Sequence, residues 1–101
     1  MSKPVNVEKL ADKVATKLGG VKTPAKGDGY KILIPNKKND ITVRVMKGGG
    51  RRSQPYYRVS MEKGGSVDKA GNFSAERLYT HIEMNAESLA DIIVIVSKIK
   101  G

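Results

Sequence analysis

The chain contains no cysteine and no tryptophan. Without thiols it can form no disulfide, no thiolate metal site and no cysteine nucleophile. Such usage suits a reducing compartment. There is one histidine, so no histidine cluster exists to hold zinc, and no metal or other cofactor is expected. The longest apolar run, residues 92–96, is five residues, whereas a membrane-spanning helix needs about 20. No membrane anchor is therefore expected. The opening Met1-Ser2-Lys3-Pro4 lacks the apolar core of a signal peptide. Acids are also scarce, with ten Asp and Glu against nineteen Lys and Arg, for a net charge of +9.

What is present is a 101-residue chain with 39% apolar residues, room for one domain with a modest core. A positive excess of this size repels itself in the compact state. Phosphate polyanions commonly compensate it, which points to RNA as the partner. An acidic inhibitor protein would exploit the same field.

The chain divides into an N-terminal helix and loop (1–28), a central sheet with the candidate site (29–84) and a C-terminal helix (85–101). Residues 5–18 read as a helix, with Leu10, Ala11, Val14 and Leu18 on one stripe. Asn6 is its N-cap candidate, Val5 and Leu10 its hydrophobic staple, and Gly19-Gly20 its stop. Residues 21–29 carry Pro24, Gly27 and Gly29 and read as a loop. Strands are predicted over 30–34, 40–46, 55–61 and 78–84, with a brief one around Ser66-Val67. Residues 84–100 read as a second helix with Asn85 as N-cap and Met84 and Leu89 as staple; a buried strand over 91–96 is the other reading. The expected fold is α+β, a small antiparallel sheet of three to five strands with flanking N- and C-terminal helices and one open face.

Alternation assigns the open face. With Ile41, Val43, Val45, Tyr57, Val59 and Met61 inward, Thr42, Arg44, Tyr56, Arg58 and Ser60 point outward. With Thr80, Ile82 and Met84 on the apolar side of the last strand, Tyr79, His81 and Glu83 join the open face. These side chains suit RNA cleavage through the 2′-hydroxyl. Histidine titrates nearest neutrality and suits proton transfer. Arginine offers phosphate a permanent, forked cation, and tyrosine stacks on splayed bases. Charge clusters there too: residues 35–52 hold Lys37, Lys38, Arg44, Lys47, Arg51 and Arg52 against the single acid Asp40. The glycine-rich loop 48–53 matches neither a Walker nor a dinucleotide pattern. Asp68 to Gly71 is too poor in carboxylates for a calcium loop. Met46, Met61 and Met84 read as core.

One ordered set resembles a family. Val43-Arg44-Val45-Met46, glycines with Arg51-Arg52, Pro55-Tyr56-Tyr57-Arg58-Val59-Ser60, then Ser74, Arg77 and Thr80-His81-Ile82 look like C-terminal toxin domains of bacterial polymorphic and contact-dependent toxins. The resemblance spans residues 29–84. It implies a metal-independent ribonuclease of the barnase, EndoU, colicin and RelE group, cleaving cellular RNA such as tRNA. It also implies action in the bacterial cytoplasm after delivery as part of a larger secreted toxin, and an acidic immunity protein or antitoxin as partner. The resemblance puts weight on Arg44, Tyr57, Arg58, Ser74, Arg77, Thr80 and His81, of which His81, Arg58, Arg77, Thr80 and Ser74 are cast as catalytic; the charges Lys37, Lys38, Lys47, Arg51 and Arg52, with Arg44, Tyr56 and Tyr57, are expected to hold RNA. The helix after the motif has no counterpart in that pattern. The same basic face would also serve a non-catalytic RNA- or DNA-binding module; His81 discriminates the two, because a pure binder needs no titrating group. The residue order of an ADP-ribosyltransferase is absent.

Overall fold

Asn6 ends the extended entry to the first helix by accepting a hydrogen bond from the Lys9 backbone N–H at 3.0 Å. The helix, α1, covers Val7–Leu18, and Gly19 closes it at φ 67°, a conformation that glycine adopts without strain. The computed structural model describes residues 6–26, 28–37, 39–48 and 54–100, and only the backbone at Arg77 and Leu78. The predicted staple residue Val5 lies outside these residues.

Beyond α1 the order is β1 (Val21–Pro24), β2 (Gly29–Ile34), β3 (Ile41–Met46), β4 (Tyr56–Met61), β5 (Gly65–Val67), α2 (Arg77–Thr80), β6 (Ile82–Glu83) and α3 (Ser88–Ile99). All strand pairings are antiparallel, in the order β1-β2-β3-β4-β5. The sixth strand, β6, also pairs with β4, so β5 and β6 share one edge of that strand end to end. The α+β architecture with flanking helices is as expected.

Three elements depart from the sequence reading. Residues 21–24, read as loop, form β1, because Pro24 occupies the end of an edge strand, where a missing N–H is tolerated. Residues 78–84, read as one strand, split into α2 and the two-residue β6. Thr80 donates its hydroxyl to the Glu76 carbonyl at 3.1 Å and its N–H bonds the same oxygen, which winds the chain before it reaches β4. The second helix also starts late. Asn85 forms a turn, accepting from Glu87 N–H at 2.8 Å and donating its own N–H to Ser88 Oγ at 2.8 Å, and Glu87 takes the N-cap position without a side-chain cap.

One face of the sheet is core. Ile32, Ile34, Ile41, Val43, Val45, Tyr57, Val59 and Val67 lie beneath Val7, Leu10, Ala11 and Val14 of α1 and Ile92, Ile95 and Val96 of α3. Lys22 bridges Asp12 at 2.6 Å, and Tyr30 donates to Glu8 at 2.7 Å, tying α1 across β1 and β2. Each bond favours the protonated partner, raising the pKa values of the Lys22 ammonium and the Tyr30 phenol.

Candidate nucleic-acid interface

The opposite face carries the polar half of each strand's alternation, and the register arranges it in rows. Residues paired across an antiparallel sheet share a face. Lys31 pairs with Arg44, and Arg44 with Arg58, so three cations stand side by side across β2, β3 and β4. With strands about 4.8 Å apart, the row spans about 10 Å. Like charges placed directly opposite one another are destabilising. None of the three is ion-paired among the described residues; the salt bridges there are Lys22–Asp12 and Lys69–Asp91. Arg58 is steadied by its Nε, which donates to Ser66 Oγ at 2.5 Å and leaves the two Nη groups to other acceptors.

Rows of different character flank the cations. On one side stand Thr42, Ser60 and Ser66, with Leu33 and Val21 at the outer end. On the other stand Met46, Tyr56 and Glu83. His81 leans on Tyr56, with ring centroids 5.2 Å apart and planes tilted by 39°. Glu83 is the only acid among the described strand residues of this face.

His81 also lines a cleft of about 520 Å³ with Asp68, Lys69, Ala70, Tyr79, Ile82 and Glu83. Its Nδ1 lies 3.4 Å from Thr80 Oγ1. Thr80 has one hydroxyl hydrogen and gives it to Glu76, so towards His81 it acts as acceptor.

The candidate residues sort clearly on this geometry. Arg44, Tyr56, Arg58, His81 and Glu83 gather as the alternation implies, and Tyr79 is exposed on the same cleft. Tyr57 cannot contact RNA: it is fully buried, and burial with the nearby Asp91 charge raises its phenol pKa. Thr80 is 3% exposed, so it orients His81 and does not meet a substrate. Ser74 hydrogen-bonds Ser66 through its N–H and Glu76 N–H through its Oγ, holding the segment that leads to α2. Lys47 lies past the sheet's end, in a cleft of about 410 Å³ with Glu8, Tyr30 and Pro55 on the α1 side. Lys37 is exposed at the other end of the same hairpin. The two therefore do not form one patch with each other. Met46, expected in the core, stands on the open face. Lys38, Arg51, Arg52 and the Arg77 side chain lie outside the described residues.

Lys31 escaped the sequence reading. The signal was available, since Tyr30, Ile32 and Ile34 alternate inward and place Lys31 outward. No helix among the described residues is long and apolar enough to cross a membrane, and no group of three or more His, Cys, Asp or Glu among them could hold a metal ion. Comparison with known proteins gave no match among protein-family models, curated proteins or solved structures.

Proposed function

We propose that this protein is a ribonuclease that works on the open face of its sheet without a metal ion. The observation that carries the reading is the row Lys31–Arg44–Arg58, which has no ion pair among the described residues and lies beside the Tyr56–His81 ring pair. Cations supply the phosphate affinity, and forked guanidinium groups oppose charge developing on a pentavalent phosphate. The His81 imidazole takes the proton from the 2′-hydroxyl, whose oxygen attacks phosphorus as the 5′-oxygen leaves. The return of a proton to that oxygen is assigned to Glu83 or Tyr79, both of which line the cleft beside His81. The products are a 2′,3′-cyclic phosphate and a 5′-hydroxyl. The ordered resemblance to bacterial toxin domains supports the same reading. It makes cellular RNA in the bacterial cytoplasm the target, tRNA included, and an acidic immunity protein the inhibitor.

The test is incubation with total RNA in EDTA, followed by end mapping. Cleavage should persist in the chelator and follow a bell-shaped pH curve. His81→Ala should lower the cleavage rate by roughly 10²–10⁴-fold while RNA affinity changes little. Wild-type activity in His81→Ala would overturn the mechanism. Binding without cleavage by the unmodified protein would favour the second reading, a non-catalytic RNA-binding module. That reading is favoured by the fact that Arg58 Nε is directed to Ser66 rather than into the His81 cleft.

A further inference from the structure

Resting on the reading of the open face as an RNA surface, we propose that its ligand is single-stranded and lies across the β-strands, backbone along Lys31–Arg44–Arg58 and bases turned toward Met46, Tyr56 and His81. The three rows carry the inference. The cations form a line perpendicular to the strands, because each occupies the same register position. One shoulder of that line, Thr42 and Ser60, is hydroxylic and suits sugar and phosphate oxygens. The other, Met46 and Tyr56 with His81 against it, offers a thioether and two rings. A backbone on the central line therefore has a polar side and a base-stacking side, an asymmetry that matches one nucleic-acid strand.

A duplex does not match it. Its bases are paired inward, so Tyr56 and Met46 would meet no base face. The groove that presents sequence in A-form RNA is deep and narrow, and side chains cannot read it. The tyrosine ring gains only from a base that has left its stack.

The experiment uses the whole chain and a 2′-O-methylated RNA of about nine nucleotides, within the site sizes of open β folds. Methylation removes the attacking hydroxyl, so binding is read without cleavage. Fluorescence anisotropy compares the single strand with the same sequence in a blunt duplex across a salt series. The single strand should bind at least about tenfold more tightly. Tyr56→Ala should weaken it roughly 5- to 150-fold, the range for loss of one stacked base, while Tyr56→Phe retains affinity and both variants bind duplex alike. Each of Lys31→Ala, Arg44→Ala and Arg58→Gln should reduce the slope of log K against log salt by about 0.7. The Lys31 side chain makes no hydrogen bond or ion pair among the described residues, since Thr23 bonds its backbone carbonyl, so Lys31→Ala is the variant least exposed to misfolding; circular dichroism confirms each fold. Equal or tighter duplex binding, with the same salt-slope losses, would overturn the single-strand proposal and leave the RNA surface standing. Salt-independent binding, or none, would overturn both.

Discussion

Tyr57 concentrates the energetic consequences of a single side chain. It is fully buried, and its hydroxyl has no hydrogen-bond partner among the described residues. A buried, unsatisfied hydroxyl costs about 1–3 kcal/mol, so Tyr57→Phe should leave stability unchanged or raise it by up to ~1 kcal/mol in urea unfolding. Tyr57→Ala should lose ~3–5 kcal/mol, as for other large core aromatics. The phenol pKa is raised above its ordinary 10.0 by burial and, secondarily, by Asp91. A raised folded-state value means that this contribution is complete below pH 10 and is lost as pH rises beyond it. Alkaline unfolding should therefore shift upward in Tyr57→Phe, measured as the midpoint of a pH titration followed by circular dichroism. Tyr56-Tyr57 also shows what a sequence can and cannot tell. Alternation dictates that one of the pair faces inward, and the inward partners Val43, Val45 and Val59 identify which. The resemblance to toxin domains weighs Tyr57 as if it were exposed, and packing overrides it.

At the scale of elements, the turn between β4 and β5 is the least relaxed. Lys63 sits at φ 67°, the one described residue other than glycine with positive φ, between Met61 and the Gly64 N–H that bonds the Met61 carbonyl at 2.9 Å. A left-handed lysine costs about 1–2 kcal/mol. Lys63→Gly should stabilise the protein by ~0.5–1 kcal/mol after glycine's extra chain entropy is counted, read as a rise in the thermal midpoint. A fall would show that the lysine side chain contributes more than its backbone loses. Gly71 is the converse case: at φ 85°, a Cβ there would approach Lys98 Cδ to 2.7 Å. β3 and β4 were legible because period two runs through their sequences, and β2 because a short apolar segment is stopped by Pro35. The segment 78–84 was not, because its alternation of Leu78, Thr80, Ile82 and Met84 also suits a turn of helix followed by a short strand. What decided it is the bond from Thr80 to Glu76, a local interaction invisible to periodicity. The missed β1 has the same origin, since four residues ending in proline carry too little pattern to announce a strand.

For the whole molecule, a +9 chain that stacks three cations in register stores repulsion in its folded state. Screening relieves it, with a Debye length of about 10 Å at 0.1 M salt and 3 Å at 1 M. The thermal midpoint should rise as sodium chloride is raised from low ionic strength, and a short polyphosphate should produce the same rise at far lower concentration. Lys31→Ala should reduce both effects. A midpoint indifferent to salt would mean that the row stores no appreciable repulsion in the folded state.

The end-to-end sharing of β4 by β5 and β6 has a dynamic consequence. The cation row rests on β2, β3 and β4, each six residues long and paired throughout the β2–β3–β4 register. His81 is fastened by α2, four residues long, and by β6, which has two register pairs and the Met84 N–H on the Pro55 carbonyl. Short edge segments open at lower free energy than the strands they lean on. Amide protons of 82–84 should therefore exchange well before those of 57–60. On the proposed reading, cleavage should fail on warming several degrees before the sheet melts, while RNA still binds, because the gripping row outlives the segment that holds His81.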